Sequence, residues 1–164
     1  MINNLKSIVR SVFPLAITVS TITFFSQCNF FPDHYKWKGG VITTYGNYFI
    51  DNSDYVISVG EEEGLLKYKV FGKDSSLLIA SKEHASVYQT WIMYWDTANT
   101  RLWIQSSDIG FFVWERPKKE SNFEEKEITA KDKDLIKTIP VDFFNLFPSL
   151  DKEFCKKNGY KGGG

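Results

Sequence analysis

Apolar and polar side chains alternate in short runs between positions 33 and 116, and no proline interrupts them. Leu66, Tyr68 and Val70 alternate with Lys67 and Lys69, and Tyr55, Ile57 and Val59 bracket Ser58 in the same rhythm. A period of two places successive side chains on opposite faces, which is the pattern of a strand with one dry and one wet side. Turn-forming residues separate the runs at positions 51–54, 60–64, 72–75, 96–100 and 107–110, where Asp, Asn, Ser and Gly allow the chain to reverse. Residues 38–116 are therefore expected to form an antiparallel β meander of about seven or eight strands. Its expected architecture is a mainly β fold, as a single small sheet, a sandwich or a partly open barrel.

The last three runs differ from the rest. Residues 91–95 (WIMYW), 102–104 (LWI) and 111–114 (FFVW) are apolar on both faces, as strands covered on two sides are. One face is expected to look into the sheet's own core, and the C-terminal segment is the natural cover for the other. Residues 117–134 mix charges of both signs and read as a solvated connector. In residues 135–164, Leu135, Ile136 and Ile139 precede Pro140, and Phe143, Phe144, Leu146 and Phe147 precede Pro148. Ser149 is placed as the N-cap of a last helix carrying Leu150 and Phe154 one turn apart, with Asn158 and Gly159 as its stop. These short helices are expected to pack on the sheet and to leave a disordered glycine tail.

The first 27 residues follow another logic. Lys6 and Arg10 precede a mostly apolar stretch at positions 12–25, which fits the charged and apolar regions of a signal peptide and is shorter than the roughly 20 residues a spanning helix needs. The cysteine that follows, in Phe25-Ser26-Gln27-Cys28, resembles the lipobox of bacterial lipoprotein precursors, although Gln27 and Phe25 depart from the usual small residue and leucine. The resemblance covers this segment alone. It implies lipid attachment at Cys28, a tether over residues 28–37, and a membrane partner through the acyl chains, in the bacterial cell envelope. The competing expectation is cleavage without lipid, a soluble periplasmic protein and a disulfide between Cys28 and Cys155, the only two cysteines.

Composition narrows the function. A 43% hydrophobic content with 14 Phe, 8 Tyr and 5 Trp supplies a packed core, unlike a disordered chain. Lys and Glu interleave to a net charge of zero, which argues against nucleic acid as a partner. Lys6 and Arg10 are the only charges in the signal segment, so the remainder carries a formal charge of about −2 and offers no steering toward anionic surfaces. His34 and His84 are the only histidines, and no zinc, nucleophile-elbow, phosphate-loop or dinucleotide pattern occurs. No catalytic residue, metal site or cofactor is expected. The acidic stretches at 51–54 and 61–63 read as hairpin turns rather than calcium loops.

Trp91, Met93 and Trp95 share one strand face, as do Phe112 and Trp114, and such aromatics fill a core more often than they line a surface. Tyr94 and Trp103 fall on the opposite faces, so they are the pair expected to form a recognition surface if one is exposed. The expected function is a non-enzymatic binding or interaction module with a periplasmic protein partner, of the inhibitor or immunity type. The competing classes are a carbohydrate binder or hydrolase using the aromatic face with Asp96, Asp108 or Glu115, and a structural envelope component.

Overall fold

The computed structural model describes residues 36–50, 54–82, 85–118 and 121–162, all within the compact unit Asp33–Gly164. The signal segment, Cys28, the tether up to residue 35, His34, His84 and residues 51–53 lie outside the described residues. The fold is mainly β. Ten strands are described: β1 (Lys36–Trp37), β2 (Gly40–Ile42), β3 (Gly46–Ile50), β4 (Val56–Glu62), β5 (Leu65–Phe71), β6 (Leu77–Ala80), β7 (Trp91–Asp96), β8 (Arg101–Ser106), β9 (Gly110–Glu115) and β10 (Glu124–Glu127). They form two five-stranded sheets, ordered β1-β3-β4-β5-β6 and β10-β9-β8-β7-β2, and neither closes into a barrel.

All neighbours are antiparallel except β1 and β3. In the first sheet Ile57 faces Val70 and Val59 faces Tyr68, while Ser58 faces Lys69 on the other side. Buried Ile57, Val59, Leu66, Tyr68, Val70 and Ile79 meet Ile42, Met93, Trp95, Leu102, Ile104 and Trp114 of the second sheet in one core. The architecture is a sandwich, and the indole N–H of Trp114 donates across it to the Tyr68 hydroxyl at 2.9 Å. That bond satisfies two polar groups that the core would otherwise strand.

The chain is not a simple meander. After β1 in the first sheet it crosses to β2 at the far edge of the second, then returns for β3 to β6. Gly39 and Gly40 make the first crossing possible, with φ of +91° and +110°. A Cβ on Gly39 would stand 3.1 Å from the Trp95 carbonyl oxygen and 2.9 Å from Thr97 Cγ2, so only glycine fits there.

The expected charged connector at 117–134 needs correction, because it contains β10. Its sequence, EEKE, has no apolar member, yet it pairs along β9 from Glu124 opposite Glu115 to Glu127 opposite Phe112. Charged side chains are what an edge strand carries when further pairing is to be avoided. The apolar signal sits just outside, in buried Phe123 and Ile128.

Beyond β10 come α1 (Lys133–Ile136), α2 (Val141–Asn145) and α3 (Ser149–Lys157). Ile136, Ile139, Phe143, Phe144, Phe147 and Cys155 bury themselves against Ile92, Trp103, Phe111 and Val113 on the second sheet's outer face. The layer is held by aromatic edges: Phe143 meets Phe147 at 4.8 Å and Phe111 meets Phe147 at 5.1 Å. Ser149 is not the N-cap. Pro148 holds that position and no side-chain cap bond forms, so Ser149 opens the helix instead. At the other end Asn158 and Gly159 stop α3, with Gly159 at φ +109°, and Tyr160 folds back to stack on Phe144 at 4.0 Å. Among the described residues no helix is long and apolar enough to cross a membrane.

Candidate functional site

The three-layer arrangement decides where side chains are available. Trp103 has 0% of its surface exposed, because it lies under the helical layer and stacks on Phe111 at 5.7 Å. The expected recognition pair of Tyr94 and Trp103 is therefore corrected: Trp103 is core, and Tyr94 is half-buried with its ring 5.8 Å from Phe143. Burial, then the charges of Asp142 and Asp96, raises the Tyr94 phenol above its ordinary range. Trp95 and Trp114 are buried between the sheets, and Trp91 packs on the same core while keeping part of its surface free.

The acids considered with them are already engaged. Asp96 is buried and caps the β7–β8 turn, accepting from the Ala98 and Asn99 amides at 3.1 and 3.2 Å and from the Asn99 side chain at 2.8 Å. Glu115 pairs with Arg101 at 2.9 Å. Asp108 lies at the opposite end, where it accepts from the Ser106 hydroxyl and from the Ser86 amide at 2.8 Å. Burial works against its charge, but these donors and nearby amides outweigh it and lower its carboxyl below the ordinary range. No two of the three are arranged around an open aromatic surface.

Exposed aromatics occur elsewhere, at the end of the sandwich where Asp108 sits. Four connections meet there: residues 43–45 from β2 to β3, the tight β4–β5 hairpin, residues 85–90 leading into β7, and the β8–β9 turn. Segment 85–90 ties them together. Leu66 donates to the Ala85 carbonyl at 2.8 Å, Val87 to that of Gly64 at 3.0 Å, Ser107 to that of Thr90 at 3.0 Å, and Ser86 to Asp108 as above. The loops are thus bonded to both sheets, which gives them the rigidity a recognition surface needs.

Two tyrosines stand out on this frame. Tyr45 is 52% exposed and stacks on Trp91 with ring centres 5.8 Å apart and planes 14° from parallel. Tyr88 is 84% exposed and its ring lies over Gly64, where a Cβ would approach to 3.1 Å. Gly64 also has φ +79°, so glycine there permits both the tight hairpin and the resting place of the ring. Glu61, Glu62 and Glu63 form the exposed acidic rim of the same end, and Glu61 also accepts from the Gly64 amide at 2.7 Å. Tyr45 and Tyr88 were not singled out by alternation or motif. Their signal is aromatic residues inside turn-forming stretches, TTYGN and ASVYQT, where no strand face needs them.

A second feature, a cleft between the start of β8, β10 and α1, is lined with charge. Most of its charges are paired: Arg101 with Glu115, Lys126 with Asp132 at 2.6 Å, and Asp134 with the neighbouring Lys137 at 2.8 Å, while Lys131 adds a further positive charge. Arg101 also donates to the Thr138 hydroxyl at 3.2 Å. It reads as a clamp between sheet and helices. Among the described residues no group of three metal-binding side chains occurs. Compared with protein-family models, with curated proteins and with solved structures, the chain matches none.

Proposed function

We propose that the chain is an exported bacterial envelope protein, lipid-anchored at Cys28, whose folded part is a non-enzymatic binding module. In this reading the loop end bearing Tyr45, Tyr88 and Trp91 meets a protein partner, as an inhibitor or immunity protein would. One observation carries it: the exposed aromatic rings gather on loops bonded to both sheets, while Asp96, Asp108 and Glu115 are engaged in turns and an ion pair. Tyr and Trp are enriched at the centres of protein interfaces because a rigid ring buries much area at small entropic cost. Lipid attachment at Cys28 leaves Cys155 the role of a small apolar side chain, in keeping with its burial in the cluster beneath the helical layer.

Two measurements test this reading. The intact mass of protein from bacterial membranes, beside Cys28→Ser, should show a chain beginning at Cys28 with acyl chains that the variant lacks. A full-length or unlipidated mass would overturn the anchor. For the binding surface, a photo-crosslinking residue in place of Tyr88 should give a discrete adduct in the cell envelope, and one in place of Glu124 on the β10 edge should not. Equal labelling at both positions would sink the loop-end assignment.

A further inference from the structure

Where the last helix meets the second sheet, a buried amide is only half satisfied. Gln105 lies on the outer face of β8, opposite Ile92 of β7 and Phe111 of β9, and has 1% of its surface exposed. Its Nε2 donates to Asp151 Oδ2 at 2.9 Å, while its Oε1 is buried and accepts from no donor. A buried acceptor without a donor is costly in a folded protein. Charge dictates this arrangement, because an ionised carboxylate only accepts and has to be met by the amide nitrogen.

Asp151 stands in the first turn of α3, where the helix dipole favours a negative charge. Burial nevertheless holds its carboxyl above the ordinary range, with the Gln105 bond pulling the other way. The groups packed around it leave that charge unshared. On α3 itself, Lys152 is turned to the Asn145 carbonyl at 2.7 Å, Glu153 is exposed, and the Cys155 thiol is pushed up to about 12 by burial and then by Asp151. Burial raises the Tyr160 phenol as well. The charges of the other elements are engaged with one another or elsewhere: Arg101 of β8 with Glu115 of β9, Lys137 with Asp134 at α1, and Asp142 of α2 with Tyr94. Asp151 is therefore the group beside Gln105 that changes its charge below neutrality.

We propose that Gln105 and Asp151 form a proton-operated latch between β8 and α3, half closed while the carboxyl is ionised and fully closed once it is protonated. A protonated carboxyl presents one donor and one acceptor, and a primary amide presents the complementary pair. The added proton sits between an Asp151 oxygen and the orphaned Oε1, so that two parallel hydrogen bonds replace one and no charge remains at the edge of the helical layer. A carboxyl raised in the folded state contributes stability that is fully present below its unfolded value and is lost as the pH rises through its folded value. Acidification thus tightens the docking of α3, and with it the cover over Trp103 and Cys155. The latch does not depend on what the loop end binds.

The test uses the full-length chain in detergent, with ¹³C in the aspartate carboxyls and ¹⁵N throughout, beside Asp151→Asn. By NMR the Asp151 carboxyl should titrate with a midpoint above that of an ordinary aspartate, and the side-chain amide protons of Gln105 should shift with the same midpoint. As the pH falls through it, protection of the Cys155 backbone amide from hydrogen exchange, corrected for the intrinsic rate, should rise by about tenfold for each pH unit by which the midpoint is raised. The window lies above the range in which the lowered carboxyls of Asp108 and Asp132 titrate. Asp151→Asn carries a donor and an acceptor at every pH, so it should keep high protection throughout and lose this rise. A midpoint at or below the ordinary value, a Gln105 amide that ignores the titration, protection that is constant or falls on acidification, or the same rise in Asp151→Asn would each overturn the proposal.

Discussion

The two sheets have the same number of described strands and opposite surroundings. The first alternates strictly: Ile57, Val59, Tyr68 and Val70 point inward, and Ser58, Lys67 and Lys69 point away from the core. The second has Met93, Trp95, Leu102 and Ile104 on one side and Ile92, Trp103, Phe111 and Val113 on the other, each side within its own cluster. The difference lies in what covers each outer face. Three short helices cover the second sheet's, so its strands read as continuous apolar runs. Aromatic density in residues 91–114 thus marks the middle layer of a three-layer fold, and recognition has to be sought on loops.

The largest effect that would break this comparison is at Trp103. Trp103→Ala should cost about 3 to 5 kcal/mol, the usual range for a fully buried large aromatic, read as a lower urea midpoint at unchanged slope. Trp103→Phe should cost much less. The Trp103 Nε1 is buried with no acceptor, so the smaller ring loses packing and no hydrogen bond, and it removes a stranded donor. If Trp103→Ala proved nearly neutral, the outer face of the second sheet would be open in solution and the helical layer not docked.

Much of this was legible in the residues. Period-two alternation located β4 and β5, and the two-sided runs located β7, β8 and β9 together with the need for a cover. The split of Trp91, Met93 and Trp95 from Tyr94 was also correct, since parity along a strand is geometric. Which side is wet is not geometric. It depends on what packs from elsewhere in the chain, and so Trp103 read as exposable. The edge strand β10 was hidden because it is stabilised by backbone pairing and needs no apolar side chain. Ser149 looked like a cap because serine commonly is one, yet Pro148 takes the position. The β2 crossing was written only in the Gly39-Gly40 pair. At the loop end, Asp108 was legible as part of a turn and serves there as a fastening, whereas Tyr45 and Tyr88 follow no strand alternation and show only as aromatics within turn-forming stretches.

A smaller effect sharpens how the helices are fastened. Asp132, just before α1, accepts from Lys126 of β10 at 2.6 Å and from the Thr129 amide and hydroxyl at 2.9 and 2.7 Å. The Lys126 bond, then the Thr129 bonds, lowers its carboxyl from 3.8 to about 2. A depressed acid stabilises the fold above its unfolded value and loses that contribution as the pH falls through its folded value. Asp132→Asn should therefore cost about 1 kcal/mol near neutral pH, in keeping with a pair accessible to solvent. The gap between the two proteins should narrow from about pH 4 to pH 2, followed by urea unfolding. A constant gap across that range would remove the ionic part of the clamp.

The smallest expected effect tests the other half of the comparison. Lys69 lies on the outer face of β5, opposite Ser58 and Ala80, and it is exposed. A residue there contributes strand propensity and solvation only, so Lys69→Ala should change the unfolding free energy by no more than about 0.5 kcal/mol. Lysine on such a face also keeps it soluble, and its loss should leave the protein folded with a small increase in self-association at high concentration. The measurement is informative because the outer face of the second sheet looks equally regular along its backbone and differs only in its side chains. Had a fourth layer covered the first sheet too, the lysines would have been selected against, since burying an unpaired ammonium costs several kcal/mol. A cost from Lys69→Ala well above the stated range would mean that something covers this face, and the contrast between the sheets would then be one of polar against apolar cover rather than of open against closed.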